Sequence, residues 1–246
     1  MVPMPRLPAE FADLLTPKGR RILAGADAAT RGALSGPDRY FARIEGAISH
    51  QTALRAHELI ARTLAPCMTP LAAAIPPQSI AGQTRNYQER LPKVTRMRAA
   101  DLKRRGTRAW EAAERIGLVR MMGSASYRRF AEVIAGRALD RRLGRQVLAY
   151  GPGDYAGPHT DHHPEDERAR DGYIDFHISL GGSGVAHQYL VYARGGHFSE
   201  MVDVAAPGLI TIYRLPFWHY TTPLIPSPSH AGTARRFVVL GTFLYA

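Results

Sequence analysis

His159, Asp161 and His219, with Arg235-Arg236 beyond them, are the residues of this 246-residue chain best suited to chemistry. Two imidazoles and one carboxylate form the ligand set that grips non-heme Fe(II) on one side and leaves its remaining coordination positions open. The His-x-Asp spacing has a mechanical basis. Residues i and i+2 of a strand project to the same face, so His159 and Asp161 can hold one metal while Thr160 points away. His219 is then expected to arrive from a second strand across a barrel. A basic residue further on can hold an anionic co-substrate. A bare His-x-Asp recurs by chance and also fits an exposed polar turn, since His162, His163, Glu165 and Asp166 follow directly. His162 and His163 are rival ligands, but adjacent strand residues point to opposite faces, and the pair is read as loop residues shaping an entrance.

The elements that must position these residues begin with a short apolar run, Val147-Leu148-Ala149-Tyr150, and a Gly/Pro turn that delivers His159 at the start of another extended segment. Downstream stand Ala206-Pro207-Gly208-Leu209, Trp218-His219-Tyr220 and Arg236-Phe237-Val238. Over residues 125–246 this pattern resembles the 2-oxoglutarate- and Fe(II)-dependent oxygenases, especially the prolyl-4-hydroxylase-like branch. Ser126-Tyr127-Arg128-Arg129-Phe130 is similar to the helix preceding the core in that family; residues 1–120 carry none of the likeness.

The resemblance implies a metal held by His159, Asp161 and His219, with no catalytic residue beyond those ligands. It implies Fe(II), 2-oxoglutarate and O2 as cofactor and co-substrates. It also implies that Arg236 anchors the far carboxylate of 2-oxoglutarate through the planar fork of its guanidinium. Arg235 competes for that role, but the two side chains point to opposite faces, and Arg236 continues in register with Val238, Leu240 and Thr242. Arg236 lies seventeen residues beyond His219, longer than in many relatives, and a Pro/Ser loop over 223–232 absorbs the excess. Tyr150 is a second contact to the same carboxylate, or else a core aromatic. His219, among aromatics, reads in isolation as a core histidine. His230 sits in a loop by composition. His177, His187 and His197 are read first as structural, with a contact to substrate or to the metal ligands as the alternative.

Patterning divides the chain. Leu59, Ile60 and Leu64 form an apolar stripe over a helix at 55–64, and further helices are expected at 99–116, stopped by Gly117, and at 126–135, capped by Ser124 or Ser126. Prolines at 66, 70, 76 and 77 make 75–93 a loop. Beyond Gly144 the period becomes two. Residues 173–180 alternate polar and apolar as a half-buried strand does, and strands are expected again at 186–192, 198–202, 209–213 and 237–245. This is an α+β chain: a double-stranded β-helix (jelly-roll, cupin-like) core over 121–246, buttressed by a mainly helical N-terminal extension over 1–120.

Charge is as uneven as pattern. Residues 1–146 carry 26 Lys+Arg against 12 Asp+Glu, and residues 147–246 carry 6 against 9, within a net charge of +11. The excess is nearly all arginine and lies away from the His-x-Asp segment. Solvated helix faces account for it, with attraction of an anionic partner as the alternative. The single cysteine, Cys67, excludes an internal disulfide, no apolar run is long enough to span a membrane, and the N-terminus lacks the apolar stretch of a secretory signal. A cytoplasmic protein with no membrane partner is expected.

The expected activity is oxidation of a C–H bond in a peptide, amino acid or small metabolite. Asp161 favours hydroxylation, desaturation or dealkylation over halogenation, because related halogenases lack that carboxylate. A nucleic-acid substrate is less favoured. AlkB-like demethylases end in an Arg-x-Asn-x-Thr-x-Arg strand, whereas this chain reads Arg236-Phe237-Val238-Val239-Leu240-Gly241-Thr242. The other readings are a non-catalytic jelly-roll binding module and a hydrolase or isomerase using Zn²⁺ or Mn²⁺. Oligomeric state is left undetermined.

Overall fold

Period-two patterning becomes backbone pairing over most of the chain's second half. The computed structural model describes residues 6–7, 10–74, 94–161 and 172–246; His162, His163 and the loop expected over 75–93 lie outside them. Three strands come first: β1 (Phe41–Ile44), β2 (Thr69–Ala74) and β3 (Val94–Asp101). There follow β4 (Leu139–Tyr150), β5 (Tyr155–His159), β6 (Tyr173–Gly181), β7 (Val185–His187), β8 (Tyr189–Arg194) and β9 (His197–Asp203). The series closes with β10 (Ile210–Arg214), β11 (His219–Thr221), β12 (Ile225–Pro226) and β13 (Arg236–Tyr245).

One curled antiparallel sheet runs β1-β10-β6-β13-β4-β3-β5-β11-β8-β9, with β2 paired to β3, and β7 pairs separately with β12. Two four-strand layers are embedded in that order: β10-β6-β13-β4 and β5-β11-β8-β9. From β4 to β6 and from β9 to β13 the chain crosses between the layers, while β8 and β9 form a hairpin within one of them. The first half of β3 pairs with β5 and its second half with β4, so this strand carries the sheet around one corner.

The helices cover the outside of the first layer. They are α1 (Pro17–Leu23), α2 (His50–Thr63), α3 (Arg108–Arg115), α4 (Leu118–Met122) and α5 (Ala125–Ala135). The α5 boundaries follow from capping. The Ser124 side chain accepts from the Tyr127 amide, and Gly136 adopts a left-handed φ of 74° at the other end. Against this layer pack Ile174, Phe176, Ile178, Phe237 and Val239 from the sheet, and Phe11, Tyr127 and Phe130 from the helical side. Phe11 meets Tyr127, Phe130 and Phe176 edge-to-face at 5.3–6.0 Å between ring centroids.

Two expectations are corrected. Residues 94–101 form β3, and the helix expected from residue 99 begins only at Arg108, capped by the Thr107 side chain. Ala99 and Ala100 suit a helix, but pairing opposite Leu148 and Val147 overrides that weak preference. The second correction concerns β6, which was expected to be half-buried. All nine of its residues are buried. Its apolar positions face the helices, and its polar positions Asp175, His177 and Ser179 face the inside of the roll.

Phe176→Ala removes the sheet's contribution to the aromatic cluster. It is expected to cost about 3–5 kcal/mol of stability, the usual range for a fully buried phenylalanine. Chemical denaturation monitored by circular dichroism measures this, while inward-facing residues keep their ligand affinity at low temperature.

Candidate functional site

The paired ends of β5 and β11 create the metal-ligand geometry. His159, the last residue of β5, lies directly opposite His219, the first residue of β11. His219 therefore comes from the hydrogen-bonded neighbouring strand, not from across the barrel. Antiparallel pairing supplies proximity without a barrel crossing, and the two rings stand 4.5 Å apart. One ligand atom from each of His159, Asp161 and His219 falls within 4.8 Å of the other two.

The orientation of the rings shows what the cluster can hold. His159 Nδ1 lies 2.6 Å from the carbonyl oxygen of Gly157, and His219 Nδ1 lies 2.8 Å from that of Phe217. A carbonyl only accepts, so each Nδ1 is assigned the proton and each neutral ring presents the Nε2 lone pair. Those lone pairs face the same carboxylate, at 3.2 Å from Asp161 Oδ1 for His159 and 3.6 Å from Oδ2 for His219. With Nε2 unprotonated on both rings, the three electron-pair donors converge and fit a divalent cation. Burial, reinforced by His159, pushes the pKa of His219 down to about 4, which keeps it neutral and ready to ligate. Burial opposes both ionisation of Asp161 and protonation of His159, but in the metal-free protein each charge favours the other, so Asp161 stays ionised and the His159 pKa is raised; a cation bound there would take the place of the proton on Nε2.

A cavity of about 370 Å³ opens beside the triad and extends to Arg236 and Tyr150. These two are cross-strand neighbours on β13 and β4. Arg236 is buried; its Nε donates to Ser179 Oγ at 2.8 Å and its Nη1 to Gln188 Oε1 at 2.9 Å, with the Tyr150 ring 5.7 Å away. Among the described residues no carboxylate pairs with it. Burial lowers its pKa, yet guanidinium keeps its proton, so the cavity contains a cation without a protein counter-ion. Arg235 faces the other way, its Nη1 donating to the Ala234 carbonyl and its side chain lying beside Gly151. Tyr150 is a buried phenol with Thr221 in hydrogen-bond reach, and burial pushes its pKa up to about 12.

The structure places further polar residues at or near the cavity. His177, read first as structural, lines the cavity, and its buried Nε2 has no hydrogen-bond partner among the described residues. Burial pushes its pKa down to about 3. Tyr213 stands edge-to-face with it at 4.5 Å. Asp175, two residues before His177, accepts from Thr242 Oγ1 at 2.6 Å. Alternating polar residues within the apolar run of β6 were the signal for these positions. Elsewhere, His187 bonds Asp203 on the surface, His197 is exposed on β9, and His230 ends a short 3-10 helix (Pro228–His230) and bonds Ser227 and Ser229. None of the three lines the cavity.

No family model and no curated protein matches the chain. Solved structures do share its fold. The non-heme α-ketoglutarate-dependent epimerase SnoN from nogalamycin biosynthesis aligns with a TM-score of 0.54 at 14% identity, over 93% of this chain and 83% of SnoN. A 2OG-Fe(II) oxygenase family oxidoreductase from Burkholderia pseudomallei gives 0.52 at 13% identity, over 92% and 90% of the two chains. EvdO2 from Micromonospora carbonacea var. aurantiaca, whose structure was solved with 2-oxoglutarate, gives 0.52 at 15%, over 89% and 91%. The curled antiparallel sheet is thus the double-stranded β-helix of these oxygenases. Among the described residues no helix is long and apolar enough to cross a membrane.

The interior acid sets a pH dependence. Burial first, then repulsion from Asp161, pushes the pKa of Asp175 up to about 8 from an ordinary value of 3.8. A group bound more tightly to its proton in the folded state stabilises the fold below its unfolded pKa, and that contribution is lost as pH rises through the folded one. Asp175 therefore contributes stability that is lost from about pH 4 to about pH 8, while His177 and His219, kept neutral by burial, contribute in the opposite sense below about pH 6.5. The stability difference between the metal-free protein and Asp175→Asn is expected to shift steadily against the wild type across this range. Thermal unfolding of both proteins across this range checks it.

Proposed function

We propose that this chain is an Fe(II)- and 2-oxoglutarate-dependent oxygenase that oxidises a C–H bond of a small molecule or peptide, with hydroxylation as the outcome. One observation carries the reading: a convergent His-Asp-His donor set and a buried guanidinium with no carboxylate partner among the described residues share one cavity. The first fits a divalent metal and the second fits a carboxylate, and 2-oxoglutarate is a ligand that needs both. The shared fold with the oxygenases above supports the same reading.

In this proposal His159, Asp161 and His219 hold the metal from the β5–β11 side, leaving its cavity side to ligands. Arg236 receives the far carboxylate of 2-oxoglutarate as paired, charge-assisted hydrogen bonds, and Tyr150, protonated at neutral pH, borders the same anion. Leu148, Val238 and Leu240 form an apolar wall that limits water around the reacting groups. When bound, iron and 2-oxoglutarate supply the oxidising power, drawn from O2 and from decarboxylation to succinate. The carboxylate of Asp161 occupies the position that halogenases leave to halide, which supports hydroxylation. The chain's positive charge supports no particular substrate, because it is concentrated before residue 147.

An anaerobic visible spectrum, titrated with Fe(II) and then 2-oxoglutarate, tests the proposal. A weak charge-transfer band requiring both additions is the expected result. His159→Ala should abolish metal binding. Arg236→Ala should keep Fe(II) but weaken 2-oxoglutarate binding ~30-fold or more, since truncating one partner of a buried charge pair costs at least ~2 kcal/mol. Absence of the band, with elemental analysis showing no bound iron, would sink the oxygenase in favour of a binding module. Turnover without O2 or 2-oxoglutarate would instead identify a hydrolase or isomerase.

A further inference from the structure

Arg236 is held by neutral groups whose hydrogen-bonding roles are already fixed. Gln188 is fully buried at the one-residue break between β7 and β8. Its amide nitrogen donates to the carbonyl oxygens of Asp154 and Thr222, at 3.3 and 3.1 Å. Those two acceptors fix which way the amide faces, so its oxygen must point at Arg236 Nη1, 2.9 Å away. Ser179 is oriented in the same way. Its hydroxyl donates to the Val204 carbonyl at 2.7 Å and so offers a lone pair to Arg236 Nε. Asp203 influences Arg236 only at a distance, because its carboxylate is already bonded to His187 Nδ1 at 2.7 Å and to the Ala205 amide at 2.8 Å.

A glutamate at position 188 would also reach the guanidinium, but it would neutralise the charge and set its other oxygen against two carbonyls. We infer that Gln188 is a positioning residue that aims the Arg236 guanidinium into the cavity while leaving its charge for the ligand. The co-substrate's far carboxylate then provides the counter-charge that the fold withholds. The inference rests on the oxygenase reading, in which that carboxylate belongs to 2-oxoglutarate.

The test compares two chelating acids on the Fe(II)-loaded protein: 2-oxoglutarate, and 2-oxobutyrate, which has no far carboxylate. Their dissociation constants are read from the charge-transfer band. Gln188→Glu is expected to lower the preference for 2-oxoglutarate by about tenfold or more, as an internal carboxylate competes for the buried cation. Affinity for Fe(II) and for 2-oxobutyrate should stay at the wild-type level. Gln188→Met, similar in length and uncharged, should lower the preference less, because Arg236 loses its aim but not its charge. An unchanged preference in Gln188→Glu overturns the inference. So does an equal loss of affinity for both acids, which would mark a merely structural role. If Gln188→Glu does not fold, an unchanged preference in Gln188→Met overturns it alone. A wild-type protein with no band for either acid fails the oxygenase reading itself, a result distinct from all of these.

Discussion

The strand pleat imposes the constraint on which this molecule depends. β6 and β13 are covered by helices on one side and enclose the cavity on the other, so all nine residues of β6 and the first six of β13 are committed to one of two buried environments. Outward positions must be apolar to hold the helices. Inward positions carry the groups that meet ligands. The alternation Arg236, Val238, Leu240 against Phe237, Val239 is that division of labour within a single strand, and a register shift of one residue would exchange the two sets.

Polar groups in such an interior are costly unless satisfied. Ser179, Gln188 and the backbone carbonyls behind His159 and His219 satisfy one side of each functional group and orient the other inward. What remains unsatisfied is electrostatic: three donors facing one another at the triad, and one cation at Arg236. Both deficits point into the same cavity.

Much of this could be read in the residues. The His-x-Asp period, the Gly/Pro turn before it and the in-register run from Arg236 to Thr242 locate the triad and separate Arg236 from Arg235. The helix at 125–135 follows from its serine cap and terminal glycine. Other features were hidden for physical reasons. β1, β2 and β3 come from segments rich in Ala, Arg and Pro, whose local preferences do not favour strands; only long-range pairing makes them so. β6 looked half-exposed because polarity in a strand normally means solvent, and the sequence does not distinguish water from an enclosed polar cavity. Gln188 gave no signal, since its role depends on a break between two strands and on carbonyls 34 residues away in either direction.

The double pairing of β3 has a consequence for how the chain can be divided. Its first half is bonded to β5, which carries His159, and its second half to β4, which carries Tyr150. This strand is therefore the seam joining the wall that carries His159 to the wall that carries Tyr150, although it lies before residue 121. A fragment cut there would keep every proposed ligand and lose the stitch between them. Its two exposed strand edges would invite pairing with other chains.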